Sequence, residues 1–213
     1  MPFRESFLAG WYYRVVESSL LPCLARLPLT PNQITILGLL LAAVVPLGFY
    51  VHPWFGFLFM GLSGVADTLD GLVSRKLKKE TRFGAFLDSS LDRVADFFYL
   101  SGFWVLFWRR DGLIPATALI FSALLFSFMI SYTKARCEAL GGTCQTGLME
   151  RGVRVLYLLA WALALSLFPE ADAKILWHGL ILFCVLTFWT MIRRLTSIRS
   201  EMKKQTHAHG IKS

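Results

Sequence analysis

Asp67 and Asp70, then Asp88 and Asp92, stand three and four residues apart within stretches that are otherwise apolar enough to cross a membrane. An acid in a transmembrane segment costs a few kcal/mol on insertion scales, so four of them at helical spacing ask for a compensating cation, most simply a bound metal. Residues three or four apart share a helix face, so each pair projects together, and two such helices facing each other close a cage of carboxylates. Oxygen-only ligation of this kind favours Mg2+ or Mn2+ over zinc or copper, and four carboxylates can hold two such ions about 4 Å apart. The alternative is a set of buried acids neutralised by Arg75, Arg82 and Arg93.

Two glycines border these acids. Gly71 follows Asp70 directly and Gly84 precedes Asp88 by one helical turn, which uncovers backbone beside the cage and lets a ligand approach closely. Close helix packing through small residues is the other use of Gly71. Arg75, one turn beyond Gly71, carries a guanidinium that matches the paired oxygens of a phosphate or diphosphate, and otherwise serves as a headgroup anchor. Acids that hold divalent metal, an arginine and exposed backbone together describe a phosphoryl-transfer site, in which metal neutralises the attacking and leaving oxygens. An intramembrane cation carrier would also keep acids in its spans. That reading leaves Gly71, Gly84 and Arg75 without a reason and lacks broken helices and inverted halves.

The elements that position these residues follow from composition. Hydrophobic residues make up 55% of the 213-residue chain and charged residues 17%, with a mean hydropathy of +0.55. A helix crossing roughly 30 Å of hydrocarbon needs about 20 residues. Six stretches qualify, near 33–53, 55–74, 84–108, 113–134, 152–168 and 174–192. The expectation is an all-α integral membrane protein, one domain over 1–213, with six transmembrane helices and no separate soluble domain. Met1 to Gly10 shows no secretory signal. Residues 3–27 mix Phe3, Phe7, Leu8, Trp11, Tyr12 and Tyr13 with Arg4, Glu5, Arg14, Glu17 and Arg26, which suits an amphipathic interfacial helix bent near Pro22. Residues 205–213 read as a disordered polar tail.

Lysine and arginine set the orientation. Arg75, Lys76, Lys78, Lys79 and Arg82 follow the second stretch; Lys134, Arg136, Arg151 and Arg154 flank the connection after the fourth; Arg193, Arg194, Arg199, Lys203 and Lys204 follow the sixth. The other side carries only Arg109, Arg110 and Lys174, so the positive-inside tendency puts both termini and the acidic motif in the cytoplasm, on a multi-pass protein of the cell membrane. Cationic loops at anionic headgroups account for the net charge of +8 without a nucleic-acid partner. Cys23, Cys137, Cys144 and Cys184 form no CxxC pair and have no histidine at ligand spacing, which argues against zinc.

The string Asp67-x2-Asp70-Gly71-x2-Ser74-Arg75-x8-Gly84-x3-Asp88-x3-Asp92 resembles the signature of the CDP-alcohol phosphatidyltransferase family, D-x2-D-G-x2-A-R-x8-G-x3-D-x3-D. Ser74 in place of the usual alanine is the one departure, and it keeps a small residue there. The resemblance implies transfer of a phosphatidyl or similar lipid phosphoryl group from a CDP-linked lipid, here CDP-diacylglycerol, to an alcohol, with CMP leaving. It assigns Asp67, Asp70 and Asp88 to metal ligation, and Asp92 to the second metal and to the role of general base. It places Gly71, Arg75, Thr81 and Gly84, with Thr30, Pro31 and Asn32, around the CDP-lipid. Thr81 is equally an N-cap of the third helix and Pro31 a simple helix start. A homodimer is also implied, for which periodicity offers no interface signal.

The acceptor is read from cations. Lys134 ends the fourth stretch, Arg154 opens the fifth and Arg194 ends the sixth, all at the level where the cage opens; headgroup anchoring explains them equally well from position alone. The phrases 82–96, 131–138 and 147–154 resemble the phosphatidylinositol phosphate synthase branch, in which matching residues bind the phosphate of inositol phosphate. A phosphorylated polyol acceptor follows, since three cations around a neutral alcohol would be left uncompensated. Glycerol 3-phosphate, as in phosphatidylglycerophosphate synthesis, is the competing acceptor. Asp96 falls on the Asp92 face, where orienting Arg93 or draining a proton are open to it but a structural ion pair is the favoured reading, while Tyr132 and Glu138 are unranked acceptor contacts.

Overall fold

The computed structural model describes residues 30–76, 81–108, 112–144, 147–168 and 172–208. Six helices follow one another through them, with no strand among the described residues: α1 (Pro31–Val51), α2 (Pro53–Lys76), α3 (Arg82–Phe107), α4 (Leu113–Ala139), α5 (Arg151–Leu167) and α6 (Asp172–Ala208). Each expected apolar stretch falls on one of them. The expected interfacial helix over 3–27 lies outside the described residues.

Local chemistry fixes the ends that matter for the site. Thr30 and Gln33 form a capping box at the start of α1: the Thr30 hydroxyl accepts from the Gln33 N–H at 3.4 Å, and Gln33 Oε1 accepts from the Thr30 N–H at 2.8 Å. Pro31 takes the first helical position, where its missing N–H has no consequence. A single residue, His52, separates α1 from α2, so the two run antiparallel as a tight hairpin. Thr81 caps α3, its hydroxyl accepting from the Gly84 N–H at 2.9 Å. After α4 the chain turns through Gly141 at φ +78°, a left-handed conformation that glycine adopts without strain, and the Gly142 N–H returns to the Cys137 carbonyl at 2.9 Å.

Packing then gathers the starts of α1, α3 and α5 with the ends of α2 and α4 and the second half of α6. α1 packs on α2 and α3, α5 on α2, and α4 on α6. Away from that end lies an aromatic core. Phe103 sits 4.9 Å from Phe49 and stacks on Trp161 at 3.9 Å with the rings 6° apart, while Met60, Phe107 and Leu165 are buried around them. Large apolar side chains such as Leu47, Ile114, Phe121 and Val185 point outward, as a helix surface facing lipid requires.

The membrane reading narrows in one respect. α1, α2, α4 and residues 173–203 of α6 are long and apolar enough to cross a bilayer, four elements where six were expected. α3 carries Asp88, Asp92, Arg93 and Asp96 between its start and its middle turns, and α5 has 17 residues. Both depart from the simple pattern because they build the polar end of the molecule. The polar tail expected from residue 205 is helical as far as Ala208, since the Arg-, Lys-, Glu- and Met-rich sequence after residue 192 keeps good helix propensity beyond the apolar stretch. Thr143 on the α4–α5 connection donates to Glu201 of this extension at 3.5 Å, and a Cβ on Gly142 would stand 2.6 Å from Met202 Cε and 2.7 Å from Cys137 Sγ, so the turn packs closely on both.

Candidate active site

Helical spacing does what it must: Asp67 and Asp70 leave α2 on one face, and Asp88 joins them from α3. One carboxylate oxygen from each of the three lies within 4.8 Å of the others. Asp70 is buried and held by α1, with the Thr35 hydroxyl donating to its Oδ2 at 2.6 Å. Thr35 stands one turn beyond Pro31 and Asn32, a signal that the sequence reading passed over. Below the acids, Tyr99 donates to Ser63 at 2.8 Å and Ser63 to the Gly38 carbonyl at 2.7 Å, so the buried hydroxyls beneath the cluster are satisfied. Three acid oxygens in mutual reach, with no nitrogen or sulfur donor among them, fit a hard divalent cation.

Asp92 departs from the expected ring of four. Arg151, the first residue of α5, bridges it to Asp67, with Nη1 2.7 Å from Asp67 Oδ1 and Nη2 2.9 Å from Asp92 Oδ1. The sequence reading treated Arg151 as a topology marker. Its only signal was a position three residues before Arg154, which puts both on one face of the α5 start. The arginines named as alternative neutralisers are placed otherwise: Arg75 and Arg82 are exposed, and Arg93 bonds the Ser89 carbonyl and lies 3.8 Å from Asp92 Oδ2.

Two cavities open from the cluster. The first, about 380 Å3, is lined by Pro31, Asn32, Gly71, Arg75, Thr81 and Gly84, with Asp70 and Asp88 at its base. These are the residues expected around the CDP-lipid, with the exception of Thr30, which the structure uses as the α1 cap. Gly84 is required there, because a Cβ would stand 2.9 Å from Thr81 Oγ1 and 3.2 Å from Asn32 Oδ1. The second cavity, about 440 Å3, is lined by Lys134, Arg154 and Arg194 together with Arg93, Arg151, Asp92 and Glu138. Tyr132 is exposed and does not line it. Between the two lies a void of about 10 Å3 that shares Thr35 and Asp70 with the first cavity and Asp92 and Arg151 with the second. The acids are therefore the wall at which both cavities meet.

The cations of the second cavity are firmly held. Arg154 is 1% exposed; its Nη2 lies 2.8 Å from Asp96 Oδ2 and its Nη1 donates to the Met149 carbonyl at 3.1 Å. Asp96 thus pairs with Arg154 on α5 and not with Arg93 on its own helix, because it faces inward from α3. Arg194 donates to the Ile130 carbonyl at 2.7 Å and approaches Glu150 at 3.9 Å. Gly147 makes its room, since a Cβ there would collide with the guanidinium. Lys134 is the more accessible of the three.

Comparison with known proteins agrees with this geometry. The sequence model of the CDP-alcohol phosphatidyltransferase family matches residues 28–189. An archaetidylinositol phosphate synthase of Methanothermobacter thermautotrophicus is 32% identical over 206 residues, 95% of this chain and all of that protein. The crystal structure of Mycobacterium tuberculosis phosphatidylinositol phosphate synthase with CDP-DAG bound superposes with a TM-score of 0.68 at 28% identity, covering 87% of this chain and 94% of that one. The same enzyme in complex with manganese and citrate gives 0.68 at 27% identity over 84% of this chain and 87% of the other. A match that spans the acids, both cavities and the helices that carry them leaves one conclusion: this chain belongs to the CDP-alcohol phosphatidyltransferase family.

Proposed function

We propose that the protein transfers the phosphatidyl group of CDP-diacylglycerol to the hydroxyl of inositol phosphate and releases CMP. The observation that carries this reading is the meeting of two cavities at one wall of acids, the first bearing the residues that the family resemblance puts around the nucleotide and the second lined by five cations, Lys134, Arg154 and Arg194 with Arg93 and Arg151, against the acids Asp92, Glu138 and Glu150. Asp67, Asp70 and Asp88 would hold the divalent metal, Mg2+ or Mn2+, with Asp92 on a second ion. Bound there, metal supplies neutralisation of the diphosphate charge.

The chain's own residues do the rest. Arg75 faces the diphosphate with a guanidinium fork, and the Thr81 and Asn32 side chains border the same space. Lys134, Arg154 and Arg194 hold the acceptor phosphate, which fixes the attacking hydroxyl near Asp92 and converts a bimolecular encounter into a local one. Asp92 takes the hydroxyl proton as the oxygen bonds to the lipid-linked phosphorus and the bond from that phosphorus to the CMP oxygen breaks. Asp96 neutralises part of Arg154, so the pocket's cationic excess suits an anion without repelling Arg154 from its seat.

α3 and α5 complete a six-span bundle in this reading, and the site faces the cytoplasm. Arg75, Lys76, Lys134, Arg136, Arg193 and Arg199 all belong to the site end, whereas Lys174 opens α6 at the other. Purified protein in detergent with Mg2+ and CDP-diacylglycerol should release CMP when inositol 1-phosphate is added, and not with serine or free inositol. Release with glycerol 3-phosphate instead would move the assignment to phosphatidylglycerophosphate synthesis. Release with none would sink the reading.

A further inference from the structure

We propose that Arg151 is a resident cation of the acid cluster, occupying by charge and by contact the place that a second metal ion takes only once the diphosphate of the CDP-lipid has arrived. This rests on the metal-dependent reading of the site and adds an order of assembly to it. Its guanidinium donates to Oδ1 of Asp67, a member of the three-acid cluster, and forms an ion pair with Oδ1 of Asp92, which lines the acceptor cavity. A guanidinium seated 2.7 and 2.9 Å from these oxygens already supplies their positive charge and repels a second divalent ion from the same place. The three acids that share one centre, Asp67, Asp70 and Asp88, leave Asp92 out.

Charge leads to the same order. Four ionised carboxylates are balanced by one divalent ion with the guanidiniums of Arg151 and Arg93, the latter 3.8 Å from Asp92. A second divalent ion would leave the cluster net positive in a poorly solvated place, which is unfavourable until a ligand brings negative charge. The diphosphate brings it. Arg151 also has somewhere to go, because it lines the acceptor cavity as well as the small void, and its Nε has no hydrogen-bond partner among the described residues. Displaced from the acids, it turns toward the cavity that takes the acceptor phosphate. By linkage, nucleotide raises the affinity for the second ion and that ion raises the affinity for nucleotide by the same factor.

The test is a Mn2+ titration of detergent-purified protein, read by the EPR signal of free ion, alone and with CDP as the probe, corrected for ion held by free CDP. Wild type should take one ion per chain tightly and a second only with CDP, whose affinity rises roughly tenfold or more. Arg151→Gln should take two ions without CDP, and Arg151→Lys, which offers a single point charge, should fall between. Retention of the first ion shows that a variant is folded; if the Gln variant loses it, the Lys variant decides. Two ions bound by wild type regardless of CDP, or a second-ion affinity unmoved by substitution, would overturn the proposal while leaving the enzyme assignment intact. Wild type that binds no Mn2+ at all would overturn both.

Discussion

In the proposed reaction Asp92 is the base, and its contacts bear on that role. One oxygen is engaged by Arg151, and the residue borders the acceptor cavity. Asp92→Asn keeps the shape and removes the proton acceptor, so turnover should fall by roughly 10²–10⁴-fold while CDP-lipid binding, followed by calorimetry, persists. Normal turnover in that variant would take the role from Asp92. Arg154 needs a subtler change. Truncation to alanine strands Asp96 as a lone buried acid, which should lower stability by about 3–5 kcal/mol in denaturant melts. Arg154→Lys keeps a charge for Asp96 and loses the fork, so it should raise the acceptor KM roughly tenfold while the CDP-lipid KM stays near wild type. Equal effects on both substrates would reduce Arg154 to a structural anchor.

Among the elements, α1 is the one whose contribution is easiest to overlook. It adds no acid, yet its Thr35 hydroxyl fixes Asp70 at 2.6 Å and its first turn walls the donor cavity. Thr35→Val should weaken Mn2+ binding several-fold without lowering the melting temperature by more than a lost hydrogen bond, about 1 kcal/mol. Gly84→Val should impair CDP binding, since the added atoms intrude on Thr81 and Asn32, and a normal CDP affinity would show that the cavity is not used. That Asp67 and Asp70 share a face with Gly71 and Arg75 close by was legible because it depends on spacing within one helix, whereas Lys134, Arg154 and Arg194 were named from the resemblance, their positions alone fitting headgroup anchoring equally well. What needed coordinates was between helices. No periodicity tells that Asp96 reaches Arg154 on α5 or that Arg151 reaches back to Asp67 and Asp92, since these depend on rotation and depth of one helix against the next.

The described residues form a polarised bundle, with the cavities and the clustered acids at one end and the stacked aromatics at the other. Single cysteines placed at Lys203 and Lys174 should therefore label from opposite sides with a membrane-impermeant maleimide in sealed vesicles; labelling of both from one side would refute the topology. Fold class was readable from hydropathy alone, because lipid demands long apolar helices with all backbone groups bonded internally. The count of spans was not so readable, since the amphiphilic α3 and the short α5 obey the needs of the site before those of the bilayer. α6 carries a further implication. At 37 residues it is about 55 Å long, against roughly 30 Å of hydrocarbon, and the α4–α5 connection leans on its overhang through Thr143 and Glu201. The α4–α5 connection is thus tied to a helix that outreaches the hydrocarbon, so its position should depend little on the thickness of the surrounding leaflet.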